Sequence, residues 1–163
     1  MFSVVSDAFP VLAICLAIPV ALFLHELGHA VPVVATGGRA HIMIGNTEGR
    51  TVETGPVRVT VGSNGIWSLL YFGRCRSDGI RSRTVRAIGI LAGPGTTLLV
   101  VVTTGVALSA VQHESIRFVV VGLFYNQVWV AFVTLVPVEY PSWFGMYAGD
   151  RSDEYRFLEL LRG

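Results

Sequence analysis

A chain of 163 residues is one domain by length. Only 14% of it is charged and 52% is hydrophobic, and a mean hydropathy of +0.61 excludes an ordinary soluble domain, which carries about a quarter charged residues. The net charge of +1 says nothing useful about partners, and the apolar, charge-poor composition makes the expected class an α-helical multi-span membrane protein.

Three runs reach bilayer-crossing length, for which about 20 apolar residues suffice: Ala8 to Ala35, Ala87 to Val111 and Phe118 to Val138. The first is broken only by Leu24-His25-Glu26-Leu27-Gly28-His29. It has no basic leader that would mark a cleaved signal peptide. His25 and His29, four residues apart, lie on one helix face and reach a single Zn²⁺. Glu26 between them is placed as general base toward water at that metal. Ionisable groups in an apolar run are costly unless ligated, paired or facing a polar cavity. That cost argues against two core histidines and a glutamate merely satisfied by hydrogen bonds.

After Gly37-Gly38 the pattern becomes short and β-branched. Ala40 to Ile44 and Val57 to Val61, with turn residues Gly45-Asn46, Glu48-Gly49 and Gly55-Pro56 between them, predict a small β-hairpin or three-stranded sheet over 39–63. Ser63-Asn64-Gly65 closes it. Alternation in Val57, Val59 and Val61 suggests an edge strand open to strand addition by an extended chain. Ile66 to Phe72, with Trp67 and Tyr71, reads as an interfacial segment, and Arg74 to Arg86 as a polar linker.

In the second run, Gly89 and Gly93-Pro94 permit close helix packing. In the third, Asn126 and Gln127 are amides of the kind that hold membrane helices together. Beyond Pro137, Trp143 and Phe144 suit an interface. Asp150 to Leu161 predicts a short tail helix within 139–163, with Asp150 as N-cap.

All twelve basic residues are arginine, and eight of them (Arg39 to Arg86) lie between the first and second runs. By the positive-inside rule that loop is cytoplasmic, the N-terminus is outside and the C-terminus is cytoplasmic. Arginines beside membrane spans suit anionic lipid better than nucleic acid. Cys15 and Cys75 suggest no disulfide and no zinc site.

The motif at His25 to His29, followed by Thr36-Gly37-Gly38-Arg39 and short strands, resembles the site-2 protease family of intramembrane zinc metallopeptidases, in particular its small bacterial members. Ala92-Gly93-Pro94, Pro137 and Ser152-Asp153 match further family features. The resemblance implies a three-helix catalytic core with Zn²⁺ held by His25, His29 and a third, acidic ligand. Of the tail carboxylates Glu139, Asp150, Asp153, Glu154 and Glu159, it favours Asp153, with Asp150 next. It implies cleavage of a membrane-protein substrate within the bilayer near the cytoplasmic side, with Glu26 catalytic. Gly93, Pro94, Thr97 and Asn126 join Val57, Val59 and Val61 as candidate substrate contacts. Thr97 and Thr134 stand where the family has asparagines, and Glu154 where it has a glycine. The alternative reading is a non-catalytic zinc-binding scaffold, or pseudoprotease, that binds membrane partners.

Overall fold

The computed structural model describes residues 4–46, 48–63 and 66–163. Three long helices form a bundle. They are α1 (Val4–Ala35), α3 (Arg83–Ala110) and α4 (Glu114–Leu135), and each packs on the other two. All three are long and apolar enough to cross a membrane. Their outward faces carry large apolar side chains, among them Leu16 at 72% exposed, Leu99 at 65% and Phe132 at 58%. Apolar exposure on that scale marks a surface suited to a membrane or to a partner protein. Hydroxyls within the bundle bond back to their own helix, as Thr104 Oγ1 does to Val100 O (2.7 Å) and Thr134 Oγ1 to Val130 O (2.9 Å). These donors therefore need no water. The helices begin and end within a few residues of the runs predicted from sequence.

Where α1 ends, Gly37 takes φ +85°, a conformation that favours glycine. Its N–H bonds Val34 O (3.0 Å), and Gly38 N–H bonds Val33 O (2.9 Å). This pair of bonds is a Schellman cap, and it turns the chain at once into β1 (Arg39–Ile44). The sheet then adds β2 (Gly49–Thr54), β3 (Val57–Gly62) and, after the short α2 (Ile66–Tyr71), β4 (Gly73–Asp78). Strand order is β2-β3-β1-β4, with β1 parallel to β3 and antiparallel to β4. On one face Ala40, Ile42 and Ile44, spaced two apart, are buried against Leu22 and Ala30 of α1. The sheet is thus fastened along the metal-motif helix.

Three sequence expectations change here. The sheet has four strands rather than two or three, because Gly73 to Asp78, which overlaps the expected linker from Arg74 to Arg86, pairs with the whole length of β1. Strand β3 is internal, hydrogen-bonded to β1 and to β2, so Val57, Val59 and Val61 do not form an edge. Phe72 is 2% exposed and packs on Tyr147, with ring centroids 4.9 Å apart, so it is a core residue rather than an interfacial one. The predicted closing turn at Asn64-Gly65 and the side chain of Trp67 lie outside the described residues.

The tail folds back as a closed loop. Tyr140 N–H bonds Asp150 O (2.8 Å), Gly149 N–H bonds Tyr140 O (2.9 Å), and Ser152 N–H bonds Val138 O (3.0 Å). Helix α5 (Asp153–Arg162) follows, and its N-cap is Ser152, whose Oγ accepts from Tyr155 N–H (3.2 Å). Asp150, the cap expected from sequence, is instead ion-paired with Arg74 of β4. Helix α5 packs against α3 and α4, which brings its first residue to the bundle interior.

Candidate metal centre

His25 and His29 stand one turn apart on α1, their rings edge-to-face with centroids 4.8 Å apart. Their Nε2 atoms are 3.2 Å from one another. Asp153 Oδ2 lies 3.5 Å from each. Together the three residues form a group that could hold a metal ion.

Each ring is oriented from behind by α3. His29 Nδ1 is 2.7 Å from Gly89 O. A carbonyl only accepts, so this nitrogen carries the proton and Nε2 presents its lone pair. His25 Nδ1 lies 2.7 Å from Thr97 Oγ1, and Thr97 is only 1% exposed. With Thr97 as acceptor, His25 takes the same tautomer, an arrangement that both aims and strengthens metal-ligating imidazoles.

Close helix contact makes this possible. A Cβ on Gly28 would lie 2.6 Å from Ala92 O, and one on Gly93 would strike the His29 ring. Small residues let the two backbones approach, as at helix crossings in membranes.

Asp153 reaches the group from the first turn of α5, where the helix dipole favours an anion. Burial alone pushes its carboxyl up, but the facing His25 and His29 outweigh that and hold it below the usual carboxylate range.

Glu26 is 5% exposed and lies beside Gly73, where an added Cβ would be 2.7 Å from Glu26 Oε1. The edge strand β4 therefore begins at this carboxylate. Gly45 N–H bonds Phe72 O (2.8 Å), so in the pair Ile44↔Gly73 Gly73 turns its own N–H and C=O away from β1. The Tyr147 hydroxyl takes both, accepting from Gly73 N–H (2.7 Å) and donating to Gly73 O (2.8 Å). Burial pushes the Tyr147 hydroxyl pKa well up, and that of Tyr140 to about 12.

Two cavities, of about 750 and 390 Å³, both border His25, Glu26, Thr134 and Tyr147. The larger also touches His29, Asp153, β4 and a set of arginines. The smaller is mostly apolar, walled by Leu22, Val130, Trp143 and Phe144, with Asn126 and Gln127 on its lining.

Of the residues singled out from sequence, His25, His29, Asp153, Glu26, Gly93 and Thr97 come together here. Pro94 is buried in α3. Asn126 is on the smaller cavity, its Oδ1 accepting from Gln127 Nε2 (2.9 Å). Val57, Val59 and Val61 are on neither cavity. Sequence reasoning missed Gly73, Tyr147 and the acceptor role of the Gly89 carbonyl. Only the Gly89-xxx-Gly93 spacing hinted at the last.

No known protein family, curated protein or solved structure matches this chain.

Proposed function

We propose that this protein is a zinc-dependent intramembrane endopeptidase of the site-2 protease type. The observation that carries this reading is the donor triangle on a membrane-length helix. A tetrahedral Zn²⁺ with bonds of about 2.0–2.1 Å needs ligand atoms about 3.3–3.4 Å apart. The separations of 3.2, 3.5 and 3.5 Å suit it, and the two-histidine, one-carboxylate set is that of hydrolytic zinc sites with an open position.

Zn²⁺ held by His25, His29 and Asp153 would supply Lewis acidity, lowering the pKa of water and polarising the scissile carbonyl. Glu26 accepts the proton of the attacking water and delivers it to the leaving nitrogen. Thr97 and the Gly89 carbonyl hold the imidazoles in place, so Thr97 acts through His25 rather than on substrate. The free edge of β4, not β3, offers main-chain partners to an unwound substrate strand. The smaller, apolar cavity accepts a side chain from a membrane-embedded segment.

Three membrane-length helices and the arginine distribution support a multi-pass protein of the cell membrane, with the N-terminus outside and the C-terminus cytoplasmic. The metal site then lies near the cytoplasmic side, where water reaches it. A non-catalytic zinc scaffold has no use for a carboxylate at Glu26. Glu26→Gln in the purified protein is expected to abolish cleavage of a membrane substrate and to leave one zinc per chain. Undiminished cleavage would overturn the reading.

A further inference from the structure

The larger cavity is lined by six arginines, Arg74, Arg81, Arg83, Arg86, Arg151 and Arg156, against four side-chain carboxylates. Two of those carboxylates, Glu26 and Asp153, belong to the metal centre. The other two are already paired: Asp150 with Arg74 and Glu159 with Arg151 (2.6 Å). Arg83 is spent on the last carbonyls of α5, at Leu160 and Leu161. Arg81, Arg86 and Arg156 remain; among the described residues no carboxylate lies within ion-pair distance of any of them, although the charge of Arg156 is felt at Glu26.

The placement of Arg86 is electrostatically unfavourable without a ligand. Arg83 and Arg86 occupy the first turn of α3, which has no acidic residue, so they oppose the positive end of the helix dipole. Helix α5 shows the usual arrangement, with Asp153 and Glu154 in its first turn. A bound anion would relieve the first site.

The same cavity is walled by β4. Alternation from Gly73 turns the N–H and C=O of Cys75 and Ser77 to the free side as well, and no hydrogen bond among the described residues occupies them. Unpaired strand edge and unpaired guanidinium groups therefore face one space that leads to Glu26. A lipid headgroup would use the arginines alone, whereas an extended acidic peptide uses both.

We infer that this cavity receives an acidic stretch of the substrate polypeptide, lying along β4 with its carboxylates on Arg81, Arg86 and Arg156. The inference rests on the peptidase reading for the purpose of the peptide, but binding can be measured apart from cleavage.

The test uses the full chain in uncharged maltoside micelles. Two fluorescent decapeptides serve as probes, one of alternating glutamate and valine, the other with glutamine for glutamate, read by anisotropy. The glutamate peptide is expected to bind about tenfold more tightly, since three exposed charge contacts contribute a few-fold each. Raising NaCl from about 50 to about 500 mM should remove most of that preference. The combined variant Arg81→Gln/Arg86→Gln/Arg156→Gln should lose it, while Arg117→Gln, outside the cavity, should keep it. Should the combined variant fail to fold, as judged by zinc content and circular dichroism, Arg81→Gln and Arg86→Gln alone should each cost a few-fold.

Equal affinity for the two peptides overturns the inference, as does a preference that survives in the folded variants. So does a result in which phosphatidylglycerol added to the micelles stabilises the wild type but not the combined variant while both discriminate the peptides alike, which assigns the arginines to lipid. Cleavage without charge preference sinks this inference alone. Charge preference in a protein that never cleaves sinks the peptidase reading alone.

Discussion

Thr97→Val is the sharpest probe of how the metal site is built. Valine keeps the volume and branching of threonine but removes the oxygen 2.7 Å from His25 Nδ1. At 1% exposure no water can take its place, so the N–H is left buried and unpaired. That omission costs about 1–3 kcal/mol. The metal-free protein can escape part of the cost by moving the proton to Nε2, toward Asp153, but the metal-bound state cannot, because Nε2 is then the ligand. The loss therefore falls on metal affinity. At 1.4 kcal/mol per decade it corresponds to about tenfold to hundredfold weaker zinc binding, the range typical for loss of a partner behind a ligating histidine. Competition against a chromophoric chelator measures it in the detergent-solubilised protein. Thr97→Ser, which restores the oxygen, should recover most of the affinity. Wild-type zinc affinity in a folded Thr97→Val protein would refute the assignment of Thr97 as the acceptor that orients His25.

Asp153→Ala should lower zinc occupancy and stop cleavage, whereas Asp150→Ala, which breaks only the pair with Arg74, should keep its zinc; full occupancy in the first would return the third ligand to the other tail carboxylates. Gly93→Ala drives a methyl into the His29 ring and should weaken metal affinity about tenfold or more, measured by chelator competition on the folded protein; unchanged affinity would mean that α1 and α3 separate freely. Burial raises the Cys75 thiol from 9.0 to about 12, so at pH 7 it stays protonated. Maleimide should modify Cys75 at least about tenfold more slowly than an open cysteine, the rate climbing with pH toward pH 12; fast labelling at pH 7 would contradict the packed position of β4. Because Cys75 is so unreactive, topology is better read from Glu53→Cys in the exposed β2, which an impermeant reagent should miss from outside intact cells and reach in inverted vesicles.

The helix that carries the candidate metal group was legible because its signal is local: two histidines and a glutamate within five residues, inside a run with no other charge. The three long helices were legible for the same reason, since their apolar length needs no partner to be recognised. The Gly37-Gly38 stop was equally plain. What failed depended on distant pairing. Gly73-Arg74-Cys75-Arg76-Ser77-Asp78 contains almost no strand-forming side chain, and it is a strand because β1 offers six consecutive partners. Val57 to Val61 alternates like an edge, yet a parallel pairing with β1 leaves it inside the sheet, and hairpin rules give no warning of that crossover. Thr97 occupies a position where the resembling family has asparagine, which from sequence alone places it among substrate contacts. Only the fold reveals that it meets a histidine 72 residues earlier.

The Tyr147 hydroxyl at the head of β4 has a consequence for which conformations can reach Glu26. It satisfies one N–H and one C=O of Gly73 at once, and a neutral exchange requires a newcomer to offer one acceptor and one donor in the same strand geometry. An extended chain does so at every second residue. A helical segment cannot, because its N–H and C=O groups are already bonded along its own axis. Lifting the phenol without replacing it strands two buried main-chain groups, at a cost of about 1–3 kcal/mol each. On the peptidase reading, the hydroxyl would yield to polypeptide that has already unwound and hold its place against a span that is still helical.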